Sequence, residues 1–513
     1  MGFFIPVYFF SRIPFLRAFP VYYDSFEYAE FAREVTLNNF RQLILATHQP
    51  IHSFYLLTIF FLKQILPLSP TLIPVLISFL SGLGVLLIFC LWVNEVSDRQ
   101  TAFRAGIYLL AFPYFFVTNT NILYESPLLF FQLVSLYLVY RGVKENKLLL
   151  ILISALAFCI GVSVFIGSLL YSGLIIYLIL FSKNKNKKRF LFIFSSIFIF
   201  YLISELLIFG NIKSLSIKYL SHWTDITSIA DGGLIFISRI LRNIFFQSLA
   251  NLSVTGGIIF WGVLILNFYR DKKIRPGVII TGIILAVLMQ YWHAGLYGRL
   301  SIFIIFPASY LMAKSFKSVK ITLLIILLIS ATTFHYALYS ASKPPVYDYG
   351  QAVKDNRKNS HLAIITSDYN RFLFEKYTVP IFVFRDRKGI FEDLKEFIDK
   401  NLDRSFKVII DLPAITYPYR QFDGDFYHIL PSIRNFRKET ADLLDNYELF
   451  LWRYDNKHGV AVFEIKRSSK SNNLLLENFN QGKYYFPERQ AFNLDPLVFL
   501  IRFTGSLIDF KRR

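Results

Sequence analysis

Long apolar runs recur along this sequence, and a run of bilayer length restricts what a chain can become more than any other feature. A helix needs about 20 apolar residues to cross the hydrocarbon core, because every backbone N–H and C=O must be satisfied within the segment. Runs that meet or approach this length are read at 2–20, 71–93, 103–119, 125–140, 147–165, 167–181, 190–209, 255–269, 277–292, 300–313 and 321–339. The stretch 147–181 fits two short spans, or one span and a re-entrant piece. Only 18% of the 513 residues are charged, against about 25% in soluble proteins. The expected fold class is a polytopic α-helical membrane protein with about eleven spans, followed by a small extracytoplasmic α/β domain.

The formal net charge is +20, a value that invites a nucleic-acid reading. The distribution of the charge argues otherwise. Most basic residues before the C-terminal region sit in short connectors between apolar runs, where the positive-inside rule places them, and no nucleic-acid recognition motif accompanies them. The connectors holding Arg99 and Arg104, Arg141 to Lys147, Lys183 to Arg189, Arg270 to Arg275 and Lys314 to Lys320 alternate with poorly charged ones. They share one face, read as cytoplasmic. On the other side, 119–124 carries no basic residue and 293–299 only Arg299. Residues 21–70, 210–254 and everything after 340 are then expected outside the cytoplasm, in a multi-pass protein of the plasma membrane.

Residues 50–66 look like a further span. Counting them as one would reverse every later loop, so an interfacial or re-entrant helix on the outer side is expected there. Arg12 and Arg17 fall in the first apolar stretch, where each has to face the protein interior or snorkel outward. Cys90 and Cys159 both lie within apolar runs, so neither a disulfide framework nor a thiolate metal site is expected. The N-terminal stretch lacks the basic region and small-residue site of a cleavable signal.

From about residue 340 the composition changes, with Lys343–Pro344–Pro345 marking the boundary. Short apolar runs at 362–366, 380–384 and 407–411 have strand character, and 391–401 reads as an amphipathic helix between the last two. Residues 447–453 and 459–465 are expected to form a hairpin around Asp455 and Asn456. The expected organisation is a membrane domain over 1–340, a soluble α/β domain over 341–467, and a tail over 468–513 in which 494–510 is a candidate surface amphipathic helix.

Three segments carry candidate chemistry. The first outer loop opens Tyr22–Tyr23–Asp24–Ser25–Phe26–Glu27–Tyr28. A carboxylate at the outer membrane surface can take a proton from an incoming hydroxyl, or simply cap the helix that follows. The same loop ends His48–Gln49–Pro50, which alone reads as a helix boundary. Glu125, in Ile122–Leu123–Tyr124–Glu125–Ser126, sits at the outer mouth of a span. It is a functional candidate by position, or a carboxylate stabilised by the helix dipole. In the 210–254 loop, Trp223 and Asp225 suggest a sugar-binding pair, although an aromatic belt residue is the plainer explanation.

Taken together, the segments holding Asp24, His48 and Glu125 resemble the GT-C glycosyltransferases, in particular the branch of protein O-mannosyltransferases and lipid A aminoarabinose transferases. Members carry an acidic motif after the first span, matched by Asp24, Ser25, Tyr28 and Ala32. A His-Pro-Pro segment opening a juxtamembrane helix is matched by His48–Gln49–Pro50. An Ile-Leu-Leu-Asp-Ser-like motif opening a later span is matched by Ile122 to Ser126. The chain departs from the pattern at Ser25, which replaces the second acid, at Gln49, which replaces a proline, and at Glu125, which replaces an aspartate.

The resemblance implies transfer of a sugar, with inversion, from a polyprenyl-phosphate donor to a hydroxyl on a protein, lipid or glycan acceptor at the outer face. It implies Asp24 as the base and Arg299, near Pro307, as the cation facing the lipid phosphate. Glu125, His48, Tyr28 and His293 would serve in substrate binding. No cofactor is firmly implied, and a divalent metal lacks support because Ser25 leaves fewer carboxylates to converge. Membrane lipids are the other expected partners. The rival readings are a lipid or solute transporter, and a non-catalytic membrane protein with an outer binding domain.

Overall fold

The computed structural model describes residues 2–16, 23–46, 53–209, 244–245, 248–249, 251–271, 279, 302–341, 361–367, 379–384, 390–411, 446–455 and 460–467. By internal contacts the chain divides into one unit of residues 1–19, 27–337 and 494–513 and a second of 20–26 and 338–493.

The first unit is helical. Its described helices are α1 (Phe4–Arg12), α2 (Tyr23–Glu34, whose first turn belongs to the second unit), α3 (Phe40–Ala46), α4 (Ser53–Ile65), α5 (Leu72–Val96), α6 (Arg99–Ala111), α7 (Pro113–Thr120), α8 (Glu125–Glu145), α9 (Leu148–Val164), α10 (Ser172–Leu180), α11 (Lys187–Phe209), α12 (Val254–Arg270), α13 (Ile305–Ser315) and α14 (Val319–Ala341, whose last turn belongs to the second unit). Among the described residues, α5 and α8 are by themselves long and apolar enough to cross a bilayer. Several shorter apolar helices accompany them, and the stretch expected at 277–292 lies, apart from residue 279, outside the described residues.

Helix α8 packs on α5 and α9. Ser135 and Ser154 tie the α8–α9 pair by an Oγ–Oγ contact of 3.0 Å, the kind of short polar bridge that lets two apolar helices approach closely. Helix α6 lies against α5 and α13, with Arg104 Nε donating to the Ala313 carbonyl at 3.1 Å. The expected pair within 147–181 resolves into α9, a 3-10 segment (Ile166–Tyr171) and the nine-residue α10. Cys90 and Cys159 are free and buried.

Residues 103–119, read from sequence as one span, are broken into α6 and α7 with a bend of 68°. Pro113 is the cause. It has no N–H to continue the ladder, and it forces Phe112 into extended geometry (φ −66°, ψ 128°). The break frees carbonyls that must find donors inside an apolar body. Arg12, only 3% exposed, sends Nη2 to the Leu110 carbonyl at 2.8 Å. Thr333 donates to the carbonyl of Ala111. The Arg12 guanidinium is further flanked by the rings of Tyr8 and Phe116, at 5.6 and 5.1 Å. Arg12 therefore faces the interior, and Arg17 lies outside the described residues.

Gly82 of α5 marks the closest approach in this region. A Cβ there would overlap the Asn119 amide and the Tyr8 hydroxyl. Neither neighbour can yield freely, since Asn119 accepts from Ser126 Oγ at 2.6 Å and Tyr8 donates to the Phe79 carbonyl at 2.7 Å. Alanine would gain about 1 kcal/mol in helix propensity, yet overpacking costs about 1–3 kcal/mol. Gly82→Ala is expected to lower the unfolding midpoint in detergent despite the better helix former.

The second unit contains the strands expected from the C-terminal sequence. They are β1 (Leu362–Ser367), β2 (Ile381–Phe384), β3 (Lys407–Asp411), β4 (Tyr447–Asp455) and β5 (Val460–Arg467), with α15 (Ile390–Asp403) between β2 and β3. The sheet order is β2-β1-β3-β5-β4. Strands β2, β1 and β3 are parallel, and β5 and β4 form the antiparallel hairpin. On one face Leu394 and Ile398 of α15 pack on Ala363, Ile365, Val408 and Ile410; Leu362, Ile364 and Ile409 are buried on the other. Burial on both faces explains why β1 and β3 read as unbroken apolar runs rather than alternating ones.

The Tyr447 phenol donates to Asp399 Oδ1 at 3.1 Å. Burial, reinforced by Asp399, raises its pKa above the ordinary value near 10. A raised folded pKa favours the neutral phenol, so this stabilisation is complete below pH 10 and is lost as pH rises beyond it. Unfolding of the sheet is expected to become easier above that pH, and Tyr447→Phe should flatten the dependence.

Candidate functional site

Polar side chains interrupt the apolar sequence most densely between the end of α7 and the start of α8, and there they are all buried. Thr118, Asn119, Thr120, Asn121, Glu125 and Ser126 are each at most 1% exposed. The local sequence satisfies its own helix ends. Asn121 Nδ2 donates to the Val117 carbonyl at 2.9 Å, Thr120 Oγ1 lies 2.9 Å from the Phe116 carbonyl, and Ser126 Oγ lies 3.0 Å from the Thr118 carbonyl. From α5, Ser78 Oγ sits 2.5 Å from the Leu123 carbonyl and pins the connection.

Glu125 is the first residue of α8 and 1% exposed. The helix dipole stabilises a carboxylate at this end, as one sequence reading held. Complete burial goes further, because removing a carboxylate from water is costly. The Tyr55 ring of α4 is buried as well, at 1% exposure. Tyr28 of α2 meets Tyr55 edge-on at 4.9 Å between ring centroids, and meets Tyr124, the neighbour of Glu125, at 6.2 Å. Tyr124 in turn packs on Phe165 at 5.6 Å. Three tyrosine rings thus gather around the head of α8. A desolvated carboxylate at such a helix head can accept a hydrogen bond from a bound hydroxyl and hold it in a fixed orientation.

Helix α4 is held firmly in this arrangement. Ser53 Oγ and Ser163 Oγ are 2.8 Å apart, and the Phe54 N–H donates to Ser163 Oγ at 3.2 Å, joining the start of α4 to the end of α9. Lys63, near the end of α4, donates to the Arg33 and Val35 carbonyls, both at 2.8 Å. It thereby caps the C-terminal end of α2, as a cation at that end of a helix should.

Of the residues expected from sequence, Glu125 is buried at the head of α8 and Tyr28 packs on its neighbour Tyr124. Asp24 lies in the first turn of α2, four residues before Tyr28, and its side chain is outside the described residues. His48, His293 and Arg299 also lie outside them, as do Trp223 and Asp225. Sequence reasoning missed Tyr55, Ser78, Asn119 and Ser163. The available signal was a hydroxyl or amide within an apolar helix, which marks an inward face. Among the described residues, no three His, Cys, Asp or Glu gather closely enough to hold a metal ion.

Comparison with known proteins adds a family match over part of the chain. Residues 48–209 match the family of dolichyl-phosphate-mannose-protein mannosyltransferases. The matched stretch begins at His48 and includes Ile122 to Ser126, but not Asp24. No curated protein matches the chain significantly. Among solved structures, ArnT from Cupriavidus metallidurans bound to undecaprenyl phosphate aligns over 90% of this chain and 97% of its own, at 11% identity and a TM-score of 0.49. The Archaeoglobus fulgidus oligosaccharyltransferase, in complex with Zn and sulfate, aligns over 88% of this chain and 70% of its own, at 12% identity and a TM-score of 0.47. The family match bears out the resemblance read from the motifs: over residues 48–209 the chain is similar to GT-C membrane glycosyltransferases.

Proposed function

We propose that the chain is an inverting glycosyltransferase that moves a sugar from a polyprenyl-phosphate carrier to an acceptor hydroxyl at the outer face of the plasma membrane. The observation that carries this reading is the buried Glu125 at the head of α8, next to Tyr124 and its contact with Tyr28, within the stretch that matches a mannosyltransferase family.

The chemistry asks for few groups. A phosphate is already a good leaving group, so no strong general acid is needed. The acceptor hydroxyl needs a base, and Asp24 takes that role. Charge develops on the departing lipid phosphate and calls for a fixed cation, the role of Arg299, with His293 assisting. Glu125 orients the acceptor, and Tyr28 and His48 complete the binding surface. The soluble domain, on the outer side by the charge pattern of the loops, contributes to acceptor choice.

The test is to incubate the purified full chain with a panel of polyprenyl-phosphate sugars and to follow release of polyprenyl phosphate together with sugar incorporation. Stoichiometric release and incorporation support the enzyme. Carrier-lipid movement across proteoliposomes without sugar transfer would replace it with the transporter reading.

A further inference from the structure

A second site stands apart from the buried carboxylate, among the basic connectors. The ends of α8 and α10 and the turn after α10 enclose a groove of about 490 Å³, within the range of about 300–1,000 Å³ usual for small-ligand pockets. Its lining includes Tyr140, Lys144, Tyr177, Phe181, Lys183 and Asn184, and no acidic side chain. The nearby acids are already engaged. Glu145 binds Arg141 and Lys147, and Glu95 lies 3.7 Å from Arg141 and accepts from Tyr137 at 2.7 Å. Lys144 and Lys183 have no ion pair among the described residues; Lys144 instead sits 5.6 Å from the centre of the Tyr140 ring.

The groove is built rather than adventitious. Asn184 Nδ2 donates to the Val143 carbonyl at 2.8 Å and lies 3.2 Å from Asn146 Oδ1. Asn146 closes α8 in left-handed geometry at φ 55°, and also accepts from Asn186 at 2.9 Å. Lys187 Nζ reaches back to the Leu180 carbonyl at 2.7 Å. The turn is thereby fastened to both helices before any ligand arrives. The surroundings place it at a membrane boundary. Two apolar helices end there, Phe181 is exposed beside the tyrosines, and the basic run from Lys183 to Arg189 follows. Aromatic rings at a helix end favour the headgroup level, and clustered lysines beside a span attract anionic lipid.

We infer that this groove binds the headgroup of an anionic phospholipid, with Lys144 and Lys183 on the phosphate and Tyr140, Tyr177 and Phe181 against the glycerol and upper acyl chains. Two lysines at such a surface are worth about thirtyfold in affinity together. The test is native mass spectrometry of the full chain in neutral detergent, titrated with dioleoyl phosphatidylglycerol, dioleoyl phosphatidylcholine or glycerol 3-phosphate. Wild type should retain phosphatidylglycerol in preference to phosphatidylcholine. The Lys144→Gln/Lys183→Gln variant should lose about thirtyfold in affinity for phosphatidylglycerol with an unchanged unfolding midpoint. If the double variant misfolds, Lys183→Gln alone, an exposed turn residue, should still weaken retention several-fold. Equal retention of both lipids, undiminished retention by the folded variants, or equally tight binding of glycerol 3-phosphate would each overturn the lipid site.

Discussion

Replacing Asp24 by asparagine is expected to slow sugar transfer by about 10²–10⁴-fold, the usual contribution of a positioned general base. Asparagine keeps the shape and the hydrogen-bonding reach of the side chain but cannot take a proton. The loss should appear in kcat, with KM for the lipid-linked donor nearly unchanged, because the base acts on the acceptor hydroxyl in the transition state and not on the carrier. Asp24→Glu restores a carboxylate displaced by one methylene and should recover part of the rate. The unfolding midpoint of Asp24→Asn should match wild type, which separates loss of a base from loss of a helix cap. Equal transfer by wild type and a well-folded Asp24→Asn protein would remove Asp24 from the mechanism.

The second large effect belongs to Arg12. Its guanidinium is buried against Tyr8 and Phe116 and serves the carbonyl released where Pro113 breaks the span. Arg12→Ala removes a long side chain from a packed interior, where truncations such as Met→Ala cost about 2–5 kcal/mol. It also strands the Leu110 carbonyl, for about 1–3 kcal/mol. Relief of a desolvated cation offsets part of this, leaving a net loss of about 3 kcal/mol. Arg12→Lys keeps one donor and should recover part of it. Unfolding in detergent reads the difference, and an unchanged midpoint for Arg12→Ala would mean that the break at Pro113 holds without the guanidinium.

The C-terminal sheet was legible because each element announces itself locally. The run 362–366 is too short for a helix and too apolar for a loop, 391–401 has helical periodicity, and Asp455 with Asn456 punctuates the hairpin. In the helical unit, apolar length located α5 and α8 well. Length says nothing of bends, so the proline at 113 passed unnoticed within a single apolar run. The inward turn of Arg12 was not legible either. A lone arginine in an apolar stretch has two inexpensive fates, and only the freed carbonyls at Leu110 and Ala111 choose between them.

The candidate site divides in the same way. Glu125 and Tyr28 stood out as an ionisable group at the head of a span and a member of a motif. Tyr55 and Ser78 lie far apart in sequence from both and come to this region only through the packing of α4 on α5 and α9 and of α5 on α8. Hydroxyls within apolar helices hold their meaning until the facing helix is known, because a serine can satisfy itself on its own preceding turn, as Ser78 also does at the Pro74 carbonyl, 3.0 Å away.

A single displacement at one base leaves a stereochemical record in the product. Proton NMR of the glycoside formed by the full chain, from a polyprenyl-phosphate sugar of known anomeric configuration, reads that record directly. Inversion at the anomeric carbon is expected. Retention of configuration, which requires a covalent glycosyl intermediate, or no glycoside from any member of the donor panel, would contradict it.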